Sequence, residues 1–177
     1  MRQKIVNVHC SLARSLQVVG DRWSPLILRD LAFGPLRFEE LAEDLGISRN
    51  LLTTRLGRLE AAGIVDRVPY QRNPLRHDYE LGEAGRQLIP VLMALTVWGD
   101  RWTNPEGGPP VLYRHRDCGQ VIAPTVACPS CREPVTLDDV DIIGGPGRLL
   151  GRGTMLARAF ISRRLATTES PLRPRAR

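Results

Sequence analysis

Hydrophobic residues recur at helical spacing through the first third of the chain. Leu12, Leu16 and Val19 predict a first amphipathic helix, and Pro25 suits the first turn of a second helix that contains "LILRDLAF". Apolar residues at i, i+3, i+4 and i+7 then predict a third helix, whose buried side is Phe38, Leu41, Ala42 and Leu45.

A fourth helix follows after a short turn. Gly46 can adopt the left-handed conformation that ends a helix, and Ser48 is a preferred N-cap residue. The spacing of Leu52, Leu56 and Leu59 places them on the buried side of the new helix. Two helices joined by a short turn containing Gly are typical of a helix-turn-helix, whose second helix enters the major groove of DNA.

The hydrophobic period then changes from helical to alternating. The runs "IVDRVPY" and "HDYELG" flank the polar turn "QRNPLR" and predict a β-hairpin, whereas "GPLR" before the third helix is typical of a turn. A last helix is expected from about Glu83, with Trp98 and Trp102 on its apolar stripe and a kink or break at Pro90. These elements predict an α+β fold that is mainly α, with the hairpin as a wing beside the helix-turn-helix.

The outward side of the fourth helix carries groups that can bind bases. Asn and Arg can form bidentate hydrogen bonds with adenine and guanine, Thr can contact a thymine methyl group, and Gly57 leaves room for a close approach. A merely solvated polar face is the alternative, but six arginines against two acidic residues between positions 49 and 76 favour DNA. The predicted reading residues are Ser48, Arg49, Asn50, Thr53, Thr54 and Arg58.

The predicted hairpin is placed to contact the phosphate backbone, where basic groups add salt-sensitive affinity without specifying sequence. A charged turn with no partner is the competing interpretation. The predicted backbone-contacting residues are Arg67, Gln71, Arg72, Arg76 and His77.

Charge divides the chain into three parts. The net charge is +6, but residues 1–104 carry 14 basic and 12 acidic residues, residues 105–144 carry 3 and 6, and residues 145–177 carry 8 and 1. We therefore expect a DNA-binding domain over 1–104, a small module over 105–144 and a basic tail over 145–177. The tail predicts a short basic amphipathic helix, then disorder after Ala166, and we expect it to assist DNA binding electrostatically. Docking on a partner or on an anionic surface, or no role at all, are the alternatives. No apolar run suits a membrane span or a signal peptide, so we expect a cytoplasmic protein.

Three of the four cysteines lie near a histidine in "HRDCGQVIAPTVACPSCRE". A Cys-x-x-Cys turn lets two thiolates reach one ion, and three Cys with one His are a standard ligand set for structural zinc. A segment of about 40 residues has too little apolar surface to fold alone, and a metal would supply the missing free energy. Free thiols in a module held by the main domain, or redox-active thiols, are the alternatives. The predicted ligands of this zinc-ribbon-like β module are His115, Cys118, Cys128 and Cys131.

The span from Cys10 to about Trp102 resembles the winged helix-turn-helix regulators of the HxlR type, a branch close to the MarR-like repressors. The resemblance rests on "GDRW" followed by "LILRDL", on "GPLRFEEL", on "GISRNLLTTRLGRLEAAGIV" and on "YELGEAGRQLIPVLMALTVWGDRW". It implies a transcriptional regulator that binds a pseudo-palindromic operator in double-stranded DNA as a homodimer, through the N- and C-terminal helices of domain 1–104. Trp98 and Trp102 independently favour a dimer because their stripe would expose an apolar face, although packing within the domain is the alternative.

Cys10 is a further candidate that the resemblance brings forward. Family members with a cysteine at this position include sensors of electrophiles and oxidants, and a helix N-terminus lowers the pKa of a thiol. A cysteine that simply packs beside Leu12 and Leu16 is the alternative. A small-molecule effector is compatible with a regulator, but no residues are assigned to it.

An enzyme is not expected. The sequence contains no recognisable Ser/His/Asp set, phosphate-binding loop, paired-carboxylate motif or Gly-rich dinucleotide turn. The alternative function is a nucleic-acid-associated adaptor whose zinc module and basic tail recruit a protein partner.

Overall fold

A computed structural model of the protein describes residues 10–103, 107–147 and 153–167. These residues form two compact units. One comprises residues 18–135, and the other comprises the described residues up to 17 and from 136 onward. The predicted boundaries at 104 and 144 stay predictions, because contacts alone do not define independently folding domains.

Five helices of the described chain form the predicted helical framework. Gly46, with φ of 59°, ends the third helix in the left-handed conformation, as its sequence context predicted. Pro90 lies inside the fifth helix without dividing it. The helices are α1 (Ser11–Val19), α2 (Ser24–Leu31), α3 (Phe38–Leu45), α4 (Arg49–Ala61) and α5 (Glu83–Trp102).

A three-stranded antiparallel sheet supports the helices, in the order β1–β3–β2. The predicted hairpin consists of β2 (Val65–Gln71) and β3 (Arg76–Leu81), and is called the wing below. The interpretation of "GPLR" as a simple turn was wrong, because its second half forms β1 (Leu36–Arg37) against β3. A two-residue strand has almost no sequence signal of its own, and only its partner reveals it.

The core lies between α2, α3, α4 and the base of the wing. The start of α5 approaches it closely: a Cβ atom on Gly85 would lie 2.2 Å from the carbonyl oxygen of Ile64. The buried apolar side chains are Ile27, Leu28, Leu31, Leu41, Ile47, Leu52, Leu56, Leu59, Ile64, Val65 and Leu81.

The segment that follows α5 has little regular structure. Strands β4 (Tyr113–Arg114) and β5 (Val121–Ile122) pair antiparallel, and a single bridge joins Ala127 to Pro134. None of the residues 107–147 is buried. Residues 107–147 thus have no buried apolar core of their own.

Near the end of the described chain, a short 3-10 helix spans Leu137–Asp139 and α6 spans Met155–Thr167. The amphipathic prediction for α6 was wrong, because a 100° step distributes its apolar and basic residues around the axis without a stripe of either kind. The predicted disorder after Ala166 concerns residues that, from 168 onward, lie outside the described part. None of the helices in the described ranges combines the length and apolar composition that a membrane crossing requires.

Candidate nucleic-acid interface

Helix α4 is fixed to the core by one face only. Leu52, Leu56 and Leu59 are each at most 1% exposed, which confirms their predicted burial. The short link from α3 through Gly46 to Ser48 brings α4 to the surface directly after α3. This is the arrangement of a helix-turn-helix in which α4 is the reading helix.

All six predicted reading residues lie on the exposed side of α4 or at its start. Thr53 and Thr54 donate their hydroxyl protons to the carbonyl oxygens of Arg49 and Asn50, both at 2.9 Å. Their methyl groups and their hydroxyl oxygens, as acceptors, are therefore left for a partner. The exposed set is Ser48, Arg49, Asn50, Thr53, Thr54 and Arg58.

Ser48 occupies the predicted N-cap position of α4 but does not cap it through its side chain. Its backbone is extended, and its carbonyl oxygen accepts the first helical hydrogen bond, from the amide of Leu52 at 2.9 Å. Because the hydroxyl group makes no capping bond, the backbone amides in the first turn of α4 can donate hydrogen bonds to an anion.

Arg49 is held in place by neighbours on α3. Its guanidinium group lies 3.0 Å from a carboxylate oxygen of Glu39 and 5.0 Å from the ring centroid of Phe38. The hydrogen bond from Arg49 is the main reason that the pKa of the Glu39 carboxyl is lowered. Both charged side chains are about two-thirds exposed. Breaking the pair so that Arg49 can bind another acceptor therefore costs little free energy.

Arg55 has a different role from the other arginines of α4. Its Nε atom lies 3.3 Å from a carboxylate oxygen of Asp21, and both side chains are largely buried. Asp21 also accepts hydrogen bonds from the amides of Trp23 and Ser24 and from the Ser24 hydroxyl, which together hold the start of α2. Arg55 was counted among six candidate basic residues, but it joins α4 to α2 and is not available to DNA.

Burial alone would raise the pKa of Asp21. The hydrogen bond from the Ser24 hydroxyl, the amides of Trp23 and Ser24, and the charge of Arg55 outweigh that effect, so the pKa lies below its usual value. The carboxylate is therefore the form that the folded protein stabilises.

The wing presents most of its predicted contact residues to solvent. Arg67, Arg72 and Arg76 are exposed, whereas Gln71 and His77 are half-buried. The Gln71 side-chain amide donates to the carbonyl oxygen of Asn73 at 2.8 Å and so closes the tip of the hairpin. Gln71 thus has a structural use that the sequence did not indicate.

A groove of about 610 Å³ lies between the wing and the first turn of α3, and is called the wing groove below. It contains Arg37, which was not predicted and whose guanidinium group lies 4.8 Å from the ring centroid of Tyr70. Basic groups outnumber the single carboxylate, Glu39, which is already paired with Arg49. The lining residues are Arg37, Phe38, Glu39, Arg67, Tyr70, Leu75, Arg76, His77 and Tyr79.

The predicted zinc ligands fall into two pairs. The Sγ atom of Cys118 lies 3.5 Å from Nδ1 of His115, and the Cys131 thiol is within hydrogen-bonding reach of the Cys128 sulfur. Among the residues that the structure describes, no three His, Cys, Asp or Glu side chains lie close enough together to hold one metal ion. The assignment of these four residues as zinc ligands stays a prediction.

Cys10 is half-buried and directly precedes α1, where its carbonyl oxygen accepts from the amide of Arg14 at 3.1 Å. This position agrees with the expected helix start. The sensing role of Cys10 stays a prediction.

Comparison with known proteins gives consistent relatives. The HxlR-like helix-turn-helix family matches residues 18–107. The uncharacterized HTH-type transcriptional regulator Rv3095 of Mycobacterium tuberculosis is 44% identical over 137 residues, which are 77% of this chain and 87% of that protein. YtcD of Bacillus subtilis, also named an uncharacterized HTH-type transcriptional regulator, is 36% identical over 105 residues, 59% of this chain and 82% of its own.

Solved structures agree with the sequence relatives. The crystal structure of PA1607 is similar with a TM-score of 0.65 and 33% identity, covering 76% of this chain and 94% of that one. A structure of PA1374 from Pseudomonas aeruginosa has a TM-score of 0.56 and 34% identity, covering 84% and 99%. The relatives named by function are transcriptional regulators and not enzymes. The chain therefore belongs to the HxlR-like helix-turn-helix family and is a DNA-binding transcriptional regulator.

Proposed function

We propose that the protein binds a pseudo-palindromic operator as a homodimer, with one α4 in the major groove of each half-site. The observation that carries the proposal is the division of α4 into two faces. Three leucines fix one face in the core, while the opposite face exposes arginine, asparagine and threonine side chains that the core does not need.

Arg49 and Asn50 are the proposed base-reading residues. They lie in the first turn of α4, and the N-terminal residues of a reading helix are those that reach base edges. Arg49 is oriented by Phe38 and Glu39 before DNA arrives, which reduces the entropy lost on binding. Guanine is the acceptor that an arginine in this position prefers, and adenine is the base that an asparagine prefers.

The wing is proposed to hold the phosphate backbone beside each half-site. Arg67, Arg72 and Arg76 are exposed on it, and Arg37 adds a fourth basic group in the wing groove. Contacts of this kind fix the register of the protein on DNA and make affinity depend on salt.

The proposed dimer contact is an apolar stripe on α5. Its members recur at i, i+4, i+7 and i+11, and each is more than half exposed, so they form one continuous face of the helix. Leu12 and Leu16 on α1 are also exposed apolar residues. An isologous pairing through such helices would set two reading helices about 34 Å apart, one turn of DNA. The stripe consists of Val91, Leu95, Trp98 and Trp102.

Binding to the DNA upstream of the protein's own gene tests the proposal. Footprinting of the wild-type protein is expected to protect an inverted repeat. Replacing Arg49 and Asn50 together by alanine is expected to lower affinity for that repeat by roughly 30-fold or more, because each bidentate base contact contributes about 1–3 kcal/mol.

The matched control is Arg86→Ala, which removes an exposed arginine from α5. Its affinity should equal that of the wild type. An Arg49→Ala, Asn50→Ala protein that binds the repeat as tightly as the control would refute the assignment of α4.

A further inference from the structure

We propose that His115, Cys118, Cys128 and Cys131 bind one structural Zn²⁺ ion, which closes two preformed turns into a single module. The inference is independent of operator binding. It rests on the backbone geometry of the two turns and on the absence of buried residues between 107 and 147.

The first turn holds its two ligands at a separation that suits zinc. The amide of His115 donates to the carbonyl oxygen of Gln120 at 2.9 Å, and the amide of Gly119 donates to the carbonyl oxygen of His115 at 2.8 Å. This brings Cys118 Sγ to 3.5 Å from His115 Nδ1. With Zn–S near 2.3 Å and Zn–N near 2.1 Å, a tetrahedral angle separates the two ligand atoms by about 3.6 Å.

The second turn repeats the hydrogen bonds of the first. The amide of Cys128 donates to the carbonyl oxygen of Glu133 at 2.9 Å, and the amide of Arg132 donates to the carbonyl oxygen of Cys128 at 2.8 Å. In both turns the ligands are the first and fourth residues, and the fifth has positive φ, 70° at Gly119 and 65° at Arg132. Two stretches with unrelated intervening sequences thus adopt one ligand-presenting geometry.

Arg132 makes the second turn informative. Among the residues that the structure describes, it is the one non-glycine residue with positive φ. Such a conformation is unfavourable for a side chain with a Cβ atom, and it persists where surrounding structure requires it. The turn is exposed, and backbone hydrogen bonds from Arg132 to Cys128 and from Cys128 to Glu133 hold the conformation, which is the one that Gly119 adopts in the first turn.

Zinc binding by these four residues would release protons. On binding, Zn²⁺ would displace one proton from each of three thiols, while His115 would bind as neutral imidazole. Four protein ligands leave no coordination position open, so the site is structural and not catalytic.

The lack of a core explains why the module needs the ion. No side chain between residues 107 and 147 is fully buried, and apolar residues such as Val121, Val126 and Leu137 are exposed. The similarity to Rv3095 extends over 137 residues, whereas the family match ends at residue 107. Only 107 residues lie up to that point, so the similarity must continue into this segment. At least part of this segment is therefore shared with one relative.

Metal analysis of the full chain, purified without chelator and without a histidine tag, tests the inference. We expect about one equivalent of zinc per chain in the wild type. Cys118→Ser and Cys131→Ser, one from each turn, should each lose most of it. Cys10→Ser, the matched control for a thiol outside the module, should keep it.

Cobalt substitution provides a second readout that does not depend on the variants folding. Co²⁺ added to the metal-free wild type should give the intense visible bands of a tetrahedral ion and thiolate charge transfer, both abolished by excess zinc. Zinc below half an equivalent after growth with added zinc would overturn the proposal, and so would an octahedral cobalt spectrum. Full retention of zinc in either Cys118→Ser or Cys131→Ser would overturn it too, because both turns are needed for one site. A Cys128–Cys131 disulfide in protein isolated under reducing conditions would overturn it as well.

Discussion

Asp21 is the residue whose charge contributes most clearly to the stability of this domain. It is 8% exposed, caps the start of α2 and faces Arg55 on α4. The contact with Arg55 is electrostatic, since Nε and Nη1 of Arg55 have no hydrogen-bond partner among the described residues. The pair therefore links two helices without the directional bonds that Asp21 makes with α2.

Replacing Asp21 by alanine should lower the free energy of unfolding by about 3 kcal/mol, because it removes a cap and leaves Arg55 buried without a counter-charge. Urea denaturation at neutral pH measures the change. Asp44→Ala, which removes the carboxylate 3.3 Å from Arg29 in an exposed pair, is the control and should cost less than about 1 kcal/mol. Equal losses in the two variants would contradict the role given to Asp21.

The same residue predicts a dependence on pH. Because the pKa of Asp21 is lowered in the folded protein, its contribution is complete above its unfolded pKa of about 3.9 and is lost as the pH falls through the lower folded value. The stability difference between wild type and Asp21→Ala should therefore be constant from neutral pH to about 5 and shrink below about 4. A difference that is already lost at pH 6 would show that another group is responsible.

Periodicity was sufficient to predict which residues of α4 are buried, but not what the exposed or charged ones contact. Leu52, Leu56 and Leu59 follow from a 100° step alone. The pairing of Arg55 with Asp21 does not, because a local pattern carries no information about a partner far away in the chain. Arg37 was missed for the same reason, since it reaches the wing groove only through the pairing of β1 with β3.

At the scale of the elements, Gly57 in α4 is expected to lower the stability of the fold while favouring operator binding. A Cβ atom there would meet no atom within 4 Å. Gly57→Ala should thus stabilise the fold by about 0.5–1 kcal/mol, because glycine costs that much in a helix interior. If α4 lies in the major groove, the same methyl group should weaken operator binding by at least about fivefold, the effect of overpacking a close contact.

Thermal unfolding and operator titration of Gly57→Ala measure the two effects separately. Gly99→Ala on α5 is the matched control, since its Cβ would meet the Thr103 hydroxyl oxygen at an ordinary 3.6 Å. The control should gain stability and keep its affinity. A Gly57→Ala protein with unchanged affinity would place the centre of α4 away from DNA.

The wing should contribute affinity without sequence preference. Replacing Arg72 and Arg76 by alanine is expected to lower the slope of log affinity against log salt by roughly 1.8, about 0.9 for each lost phosphate contact. Binding to the operator and to unrelated DNA should weaken by similar factors. Titrations at several salt concentrations with both DNAs decide this, and a loss confined to the operator would instead assign base contacts to the wing.

At the scale of the whole molecule, the α5 stripe predicts the oligomeric state. Trp98→Glu places a charge in the centre of the stripe, and the dissociation constant of the proposed dimer should rise roughly 30-fold or more, as expected for a central aromatic residue. Sedimentation velocity over a range of concentrations measures it. Arg86→Glu puts the same charge on an exposed α5 position outside the stripe and should leave the dimer intact. A Trp98→Glu protein that dimerises like the control would exclude the stripe as the contact.

The closeness of Gly85 to Ile64 has a consequence for the operators that the proposed dimer can accept. Because backbone lies directly against backbone there, we expect the start of α5 to keep its position on the base of the wing. The two reading helices of the proposed dimer would then keep a constant separation and orientation. One base pair inserted between the half-sites rotates the second half-site about the DNA axis by about 35°, so the second reading helix could no longer contact it. Genomic sites should accordingly share one spacing while their outer bases vary, and titration of an operator with a single inserted pair should show binding reduced to the level of unrelated DNA.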